Sequence, residues 1–155
     1  MNNGSLIFFC GKMGAGKSTL AKRLAEDKGA VLISEDDLLS KLYTGKIKSV
    51  KDYKLYSDKL KPVVSDTVQQ ILKRGVTVVL DFPANTERQR LWLRNISDGV
   101  HSEHTCYFVD RNDEVCIKQL LKRGNPNTDT VEMFHAITQY FTEPSNSENI
   151  NTVRV

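Results

Sequence analysis

The chain has 155 residues and a mass of 17.5 kDa, which suits one ordinary domain with a buried core. Hydrophobic residues make up 39% and charged residues 26%, so wholesale disorder and fibrous repeats are excluded. The formal net charge of +3 is uneven, because residues 41–61 hold seven Lys against Asp52 and Asp58. Attraction for an anionic partner is therefore concentrated in that segment.

The apolar and cysteine patterns argue against membrane insertion and secretion. The longest apolar run near the N-terminus, residues 6–10, is far shorter than the roughly 20 residues that cross a bilayer. It also lacks the flanking features of a secretory signal. Cys10, Cys106 and Cys116 are widely spaced and form neither CxxC pairs nor a zinc pattern with histidine. We therefore expect a cytoplasmic protein with reduced, buried thiols.

Segments with strand and helix patterns alternate along the chain. The predicted strands cover residues 6–10, 30–33, 76–81 and 106–110, with a further edge strand at 150–155 left open. The predicted helices cover residues 17–28, 34–45, 50–74, 87–96, 112–123 and 131–141. Pro62 is expected either to kink the long third helix or to begin its second half. The alternation predicts one domain over residues 1–155, an α/β three-layer sandwich with a four- or five-stranded parallel sheet.

Apolar residues at helical spacing predict which helix faces are buried. In the long third helix, Val63 belongs to the predicted buried stripe. In the next helix, Leu91, Trp92 and Ile96 are expected to point inward.

Residues 11–18 match the pattern GxxxxGK[ST] between a buried strand and an amphipathic helix. The glycines let backbone N–H groups surround a phosphate, Lys17 can reach the β- and γ-phosphates, and the Ser18 hydroxyl can coordinate Mg²⁺. GTPases usually add an Asn-Lys-x-Asp element, which is absent, so ATP is the expected nucleotide. The predicted nucleotide-binding residues are Gly11, Lys12, Met13, Gly14, Ala15, Gly16, Lys17, Ser18 and Thr19. The expected fold is thus that of a nucleoside-kinase-like P-loop NTPase.

Acidic residues follow several predicted strands, where parallel α/β folds bind ligands. Asp36 is placed to orient an acceptor hydroxyl and take its proton; the alternative is an acid that offsets the helix dipole, as Glu35 or Asp37 can be. Asp81 can serve Mg²⁺ through water or bind substrate, and the alternative is a loop cap. For Asp110 a structural role is favoured.

Arginines supply the positive charge that phosphoryl transfer needs. Arg123, between Lys122 and Gly124, is the candidate catalytic arginine, on a lid expected around residues 118–128. Arg88 is a candidate for binding an anionic substrate. The alternative for Arg88, and for Arg90 and Arg94 beside it, is a solvated helix face.

The chain resembles the P-loop kinases that group polynucleotide 5′-kinases with zeta-toxin-like and chloramphenicol phosphotransferase-like enzymes, and small bacterial AAA-type ATP-binding proteins. The resemblance spans most of the chain and rests on the loop, on residues 34–37, on Asp81 with Asn85, Glu87, Arg88 and Trp92, and on residues 122–124. It implies that Asp36 is the general base and that Arg123 assists the phosphates. Polynucleotide kinases carry Arg-Asp-Asp-Tyr-Arg at residues 35–39, where this chain has Glu-Asp-Asp-Leu-Leu. The missing arginines argue against a polynucleotide acceptor.

Three functions remain open. The favoured one is an ATP- and Mg²⁺-dependent kinase that phosphorylates a hydroxyl of a small molecule. A polynucleotide 5′-hydroxyl kinase is the second, since Tyr43, Tyr53 and Tyr56 interleave with the lysines and can stack bases, although core packing of Tyr53 and Tyr56 is favoured. The third is a non-catalytic ATP-binding regulatory module. The acceptor and the oligomeric state are not predicted.

Overall fold

Five parallel strands form the centre of the structure, a computed structural model that describes residues 2–126 and 128–155. Their order in the sheet is β2-β3-β1-β4-β5, and all four neighbouring pairs are parallel. The predicted fold class is confirmed, with five strands rather than four. The strands are β1 (Leu6–Cys10), β2 (Val31–Ser34), β3 (Val78–Pro83), β4 (His104–Phe108) and β5 (Thr152–Arg154).

Helices cover both faces of the sheet. The long third helix is continuous through Pro62, so Pro62 does not begin a second helix there. None of the helices in the described part of the chain is long and apolar enough to cross a bilayer. The helices are α1 (Lys17–Lys28), α2 (Glu35–Leu42), α3 (Val50–Lys73), α4 (Glu87–Asp98), α5 (Asp113–Arg123) and α6 (Val131–Thr138), followed by a 3₁₀ turn at Asn146–Glu148.

Strand β1 is buried on both faces and divides the core in two. Because side chains alternate along a strand, Phe8 packs toward α3 and α4, whereas Phe9 packs toward α1. On the α3 side, Leu60, Val64, Val68 and Leu72 form the buried stripe. This central position of β1 places the loop that follows it in the middle of the sheet's carboxyl edge.

Two predicted core positions are wrong. Val63 is 66% exposed, because the stripe of α3 passes through its neighbours Leu60 and Val64. Leu91 is 49% exposed, because the buried face of α4 consists of Arg90, Leu93, Ile96 and Ser97.

Candidate active site

The loop at residues 11–18, called the phosphate loop below, joins β1 to α1. Gly14 and Gly16 have φ angles of 77° and 102°, in the region that favours glycine. A Cβ on Gly14 would lie 2.3 Å from the Cys116 carbonyl oxygen, whereas a Cβ on Gly16 would have no such neighbour within 4 Å. The loop therefore packs tightly against α5 at Gly14 and has open space beside Gly16.

Side chains of the phosphate loop mostly anchor it to its surroundings. Met13 and Ala15 pack in a cluster with Phe134 and with residues of α5. Lys12 forms an ion pair with Asp113, with 2.6 Å between Nζ and Oδ1. The backbone N–H of Gly11 donates to Asn85 Oδ1 at 2.9 Å. The backbone is therefore left to face a ligand.

The N-terminus of α1 differs from those of the other α-helices in the described residues. Helices α2 to α6 each have a side-chain oxygen that accepts from the third residue of the helix; the caps are Ser34, Ser49, Thr86, Asn112 and Thr130. Helix α1 follows Gly16, has no side-chain cap and carries no acid in its first turn. Its first N–H groups, which include those of Ser18 and Thr19, are thus available to an anion.

Lys17 and Ser18 face the site from the first turn of α1. Lys17 Nζ donates to the Gly11 carbonyl oxygen, and desolvation lowers the pKa of the Lys17 ammonium. Ser18 Oγ donates to Asp81 Oδ2 at 2.7 Å. Asp81 itself lies inside β3, which continues to Pro83, so the strand does not end at this acid as the sequence indicated.

Ser18 and Asp81 present a hydroxyl and a carboxylate, the oxygen ligands that Mg²⁺ prefers. No group of three or more His, Cys, Asp or Glu in the described residues is arranged to hold a metal ion. Mg²⁺ commonly takes one or two protein oxygens and completes its shell with phosphate oxygens and water. The two residues therefore fit an ion that arrives with a nucleotide.

Asp36 lies in the first turn of α2, beside the strand end that precedes it. Solvent reaches its side chain, yet partial desolvation raises the pKa of the carboxyl, and the negative charge of Asp81 raises it further. Arg123 and Lys17 act in the opposite direction. Asp36 thus lies within electrostatic reach of Asp81, Lys17 and Arg123, and a raised pKa makes Asp36 a stronger base.

Arg123 is held by Asp129, a residue that the sequence reasoning did not single out. Arg123 Nε and Nη2 donate to the two carboxylate oxygens at 2.7 and 2.6 Å, and the Asn125 N–H and Thr128 hydroxyl donate as well. The Asp129 side chain is buried, while that of Arg123 is 57% exposed. Arg123, within the predicted lid around 118–128, is therefore paired with Asp129, which lies just beyond that segment; residue 127 lies outside the described residues.

Arg90 corrects the expectation of a solvated helix face, because it is completely buried. Its Nε and Nη2 donate to Glu148 at 2.7 and 3.1 Å, and its Nη1 donates to the carbonyl oxygens of Ala84 and Thr142. Nη1 also lies 3.8 Å from Cys10 Sγ, directly before the phosphate loop. Arg90 thus ties α4 and the C-terminal segment to the base of the loop.

Glu35 is buried and does not serve as an exposed first-turn acid. The Tyr53 hydroxyl donates to Glu35 Oε1 at 2.5 Å and the Ser57 hydroxyl to Oε2 at 2.8 Å, and burial raises the pKa of this carboxyl. These bonds fix the start of α2, and so Asp36, against α3. By contrast, Asp37 is exposed and pairs with Lys41 at 3.1 Å.

Arg88 and Asp110 lie outside the central cluster. Arg88 is exposed in the first turn of α4 and makes no ion pair within the described residues. Asp110 follows β4 by two residues and accepts from Arg154 Nη1 of β5 at 2.5 Å. The structure therefore brings together Lys17, Ser18, Asp36, Asp81 and Arg123, whereas no contact among the described residues joins Arg88 to them.

The geometry of the loop and strand-end acids agrees with sequence comparison. The profile of an AAA domain family matches residues 6–144. The chain belongs to this family of P-loop kinases. The narrower grouping with polynucleotide kinases and zeta toxins has no support in these comparisons and stays a prediction.

Relatives by sequence are nucleotide kinases, and a solved structure shares the fold. The chain is 30% identical over 147 residues to adenylate kinase of Prochlorococcus marinus, across 88% of this chain and 77% of that enzyme. It is 27% identical over 132 residues to human UMP-CMP kinase, across 77% and 67%. The APS kinase of Mycobacterium tuberculosis, solved with AMPPNP and APS, superposes with a TM-score of 0.69 at 20% identity, across 99% of this chain and 90% of that chain. This last likeness shows the fold alone.

Proposed function

We propose that the protein transfers the γ-phosphoryl group of ATP to a hydroxyl of a small molecule. The observation that carries the proposal is the uncapped start of α1, where Ser18 is hydrogen-bonded to Asp81 and where Asp36 lies within electrostatic reach of Asp81, Lys17 and Arg123. Relatives with adenylate kinase and UMP-CMP kinase activity act on small acceptors, which favours a small acceptor here.

Each residue then has a defined part in the reaction. The phosphate loop and the uncapped start of α1 bind the ATP phosphates, with Lys17 placed to reach the β- and γ-phosphates. Ser18 and Asp81 would hold Mg²⁺, which when bound neutralises charge on the phosphates. Asp36 accepts the proton of the acceptor hydroxyl as the hydroxyl oxygen bonds to the γ-phosphorus. The bond from that phosphorus to the β–γ bridging oxygen breaks, ADP leaves, and Arg123 offsets the charge that develops.

Replacing Asp36 by Asn tests the assignment of the base. With ATP, Mg²⁺ and a library of alcohols, the wild-type protein should form ADP and a phosphorylated product in equal amounts. Asp36→Asn should lower kcat by about 10²–10⁴-fold, because the proton acceptor is lost, with ATP affinity kept within a few-fold.

Asp37→Asn is the matched control, since Asp37 is the exposed neighbour of Asp36. It should turn over at nearly the wild-type rate. Equal rates for Asp36→Asn and wild type would refute the base assignment. ATP binding with no acceptor-dependent turnover would instead favour a regulatory module.

A polynucleotide 5′-hydroxyl kinase is the second candidate, favoured by exposed lysines. Lys46, Lys48, Lys51 and Lys54 are exposed and form no ion pairs within the described residues. If this candidate is right, labelling of 5′-hydroxyl oligonucleotides should fall steeply as salt rises, because bound counterions are released. Absence of labelling at low salt would eliminate it.

A further inference from the structure

Both ends of the phosphate loop are hydrogen-bonded to one short segment, residues 81–85, at the carboxyl end of β3. At the end of the loop that enters α1, Ser18 Oγ donates to Asp81 Oδ2 at 2.7 Å. At the end that leaves β1, the Gly11 N–H donates to Asn85 Oδ1 at 2.9 Å. The segment therefore holds the phosphate loop at both of its ends.

The two bonds are expected to respond differently to a bound nucleotide. Ser18 and Asp81 are the proposed ligands of Mg²⁺, so an ion that arrives with ATP competes for the oxygens that form their bond. The bond between Gly11 and Asn85 uses neither of these oxygens, nor any N–H group at the uncapped start of α1. It is therefore the tie that can persist while the loop binds phosphate.

The backbone that presents the Asn85 side chain is itself fixed. The Asn85 N–H donates to Gln89 Oε1 at 2.9 Å, and the Asn85 carbonyl oxygen accepts from the Thr142 N–H at 2.8 Å. The preceding residue, Ala84, is buried, and its carbonyl oxygen accepts from Arg90 Nη1 at 3.0 Å. Asn85 is thus held by α4 and by the segment that follows α6, so its amide oxygen has a defined place beside the loop.

Gly11 has little freedom to find another partner. The residue is buried, and a Cβ on it would lie 2.8 Å from the Val109 carbonyl oxygen. Its own carbonyl oxygen accepts from Lys17 Nζ. A buried N–H group that loses its acceptor is unfavourable, because no bond to water replaces the lost one. Loss of Asn85 Oδ1 should therefore displace the Gly11 peptide and, with it, the start of the phosphate loop.

We infer that Asn85 is a positioning residue for ATP binding: its amide oxygen holds the Gly11 peptide and so keeps the phosphate loop in the shape that receives the phosphates. Asn85 acts through the loop and is assigned no contact with ATP itself. The inference rests on the proposed function, because that proposal supplies ATP as the ligand of the loop. It adds that the loop takes its shape from the end of β3 as well as from its own glycines.

Replacement of Asn85 by Leu tests the inference, because it removes the acceptor and keeps a side chain of similar size. Binding of the non-hydrolysable analogue AMPPNP with Mg²⁺, measured by calorimetry, should weaken about ten-fold, the equivalent of one hydrogen bond. The amide proton of Gly11, observed by NMR in the nucleotide-free protein, should move upfield and exchange faster with solvent. Asn85→Ala gives the same comparison with a side chain too small to clash.

Two further variants separate positioning of the loop from general stability. Thr86→Val is the matched control, since the Thr86 hydroxyl caps α4 directly beside Asn85 and accepts from the Gln89 N–H at 3.2 Å. It should lower the free energy of unfolding and yet change AMPPNP affinity by less than about two-fold. Asn85→Asp retains an acceptor oxygen and should keep the Gly11 amide signal near its wild-type position.

The inference would be overturned by wild-type AMPPNP affinity in both Asn85→Leu and Asn85→Ala, or by an unchanged Gly11 amide signal in both. Equal losses of affinity in Asn85→Leu and Thr86→Val would overturn it as well, because they would assign the effect to stability alone.

Turnover measured separately keeps this inference and the proposed function distinguishable. With a phosphorylated acceptor in hand, Asn85→Leu should raise the KM for ATP about ten-fold and lower kcat less than Asp36→Asn does. If AMPPNP binding weakens as expected but no alcohol is phosphorylated, the role of Asn85 stands and the kinase proposal fails. If alcohols are phosphorylated and Asn85→Leu keeps the wild-type KM for ATP, the kinase stands and the role of Asn85 is wrong.

Discussion

The phosphate loop and the contacts of Glu35 with α3 both position groups of the candidate site, and they are built differently. The loop is one contiguous segment whose backbone forms the binding surface. The Glu35 contacts join side chains on separate elements, with Glu35 and Ser57 22 residues apart. Backbone N–H groups bind phosphate, which is common to all nucleotides, whereas the side-chain contacts fix the start of α2 and so the position of Asp36. The difference separates what ATP binding needs from what proton transfer needs.

The largest effect is expected on the loop side. Lys17→Met removes the ammonium group beside the phosphates and should lower kcat about 10²–10³-fold, the range found when one donor to transition-state charge is deleted. Steady-state kinetics with a phosphorylated acceptor measures it. Lys22→Met, at an exposed position of the same helix, should behave as wild type. Comparable activity of the two variants would place Lys17 outside the reaction.

Stability measurements test the buried Arg90–Glu148 pair at the base of the phosphate loop. Glu148→Ala leaves the buried Arg90 guanidinium without its carboxylate and should lower the free energy of unfolding by about 3–5 kcal/mol. Glu143→Ala is the control, because its 3.7 Å pair with Arg154 is exposed and should contribute under about 1 kcal/mol. Denaturant unfolding measures both. Equal stability of the two variants would show that the Arg90–Glu148 pair does not stabilise the fold more than a surface pair does.

A smaller effect is expected at the Arg123 pair. Asp129→Asn removes the carboxylate that orients the guanidinium and should lower kcat about ten-fold, the equivalent of one charge-assisted hydrogen bond. If Arg123 only closes the loop around residue 125, stability will fall while kcat stays unchanged.

The pH dependence of the same pair has a defined sign. Hydrogen bonds from Arg123 lower the pKa of Asp129 from 3.8 to about 2. Because the pKa is lower in the folded state, the stabilisation is complete when the pH is above the unfolded-state pKa. It is lost as the pH falls through the folded-state pKa. The stability difference between wild type and Asp129→Asn should therefore be constant above pH 5 and shrink between about pH 4 and pH 2. A difference that persists at pH 2 would contradict the pairing.

Features of the fold and the site that depend on contiguous sequence patterns could be predicted from the sequence. The phosphate loop, the alternation of strands and helices along the chain and the acids near strand ends follow from local motifs and the geometry of parallel sheets. Arg90 and Glu148 are 58 residues apart, and no local pattern joins them. One signal was nevertheless present: Arg90 has helical spacing with Leu93 and Ser97, which places it on the buried stripe. Asp129 and the Glu35 bonds to α3 likewise depend on how distant segments pack.

The most direct test of the account measures ATP affinity and acceptor turnover side by side in Lys17→Met and Asp36→Asn. If ATP binding and phosphate acceptance are separate tasks, Lys17→Met should weaken binding of ATP and Mg²⁺ and lower turnover as well. Asp36→Asn should bind ATP within a few-fold of wild type and yet lose about 10²-fold or more in turnover. Unimpaired turnover by Asp36→Asn, or an equal loss of ATP affinity in both variants, would contradict the account.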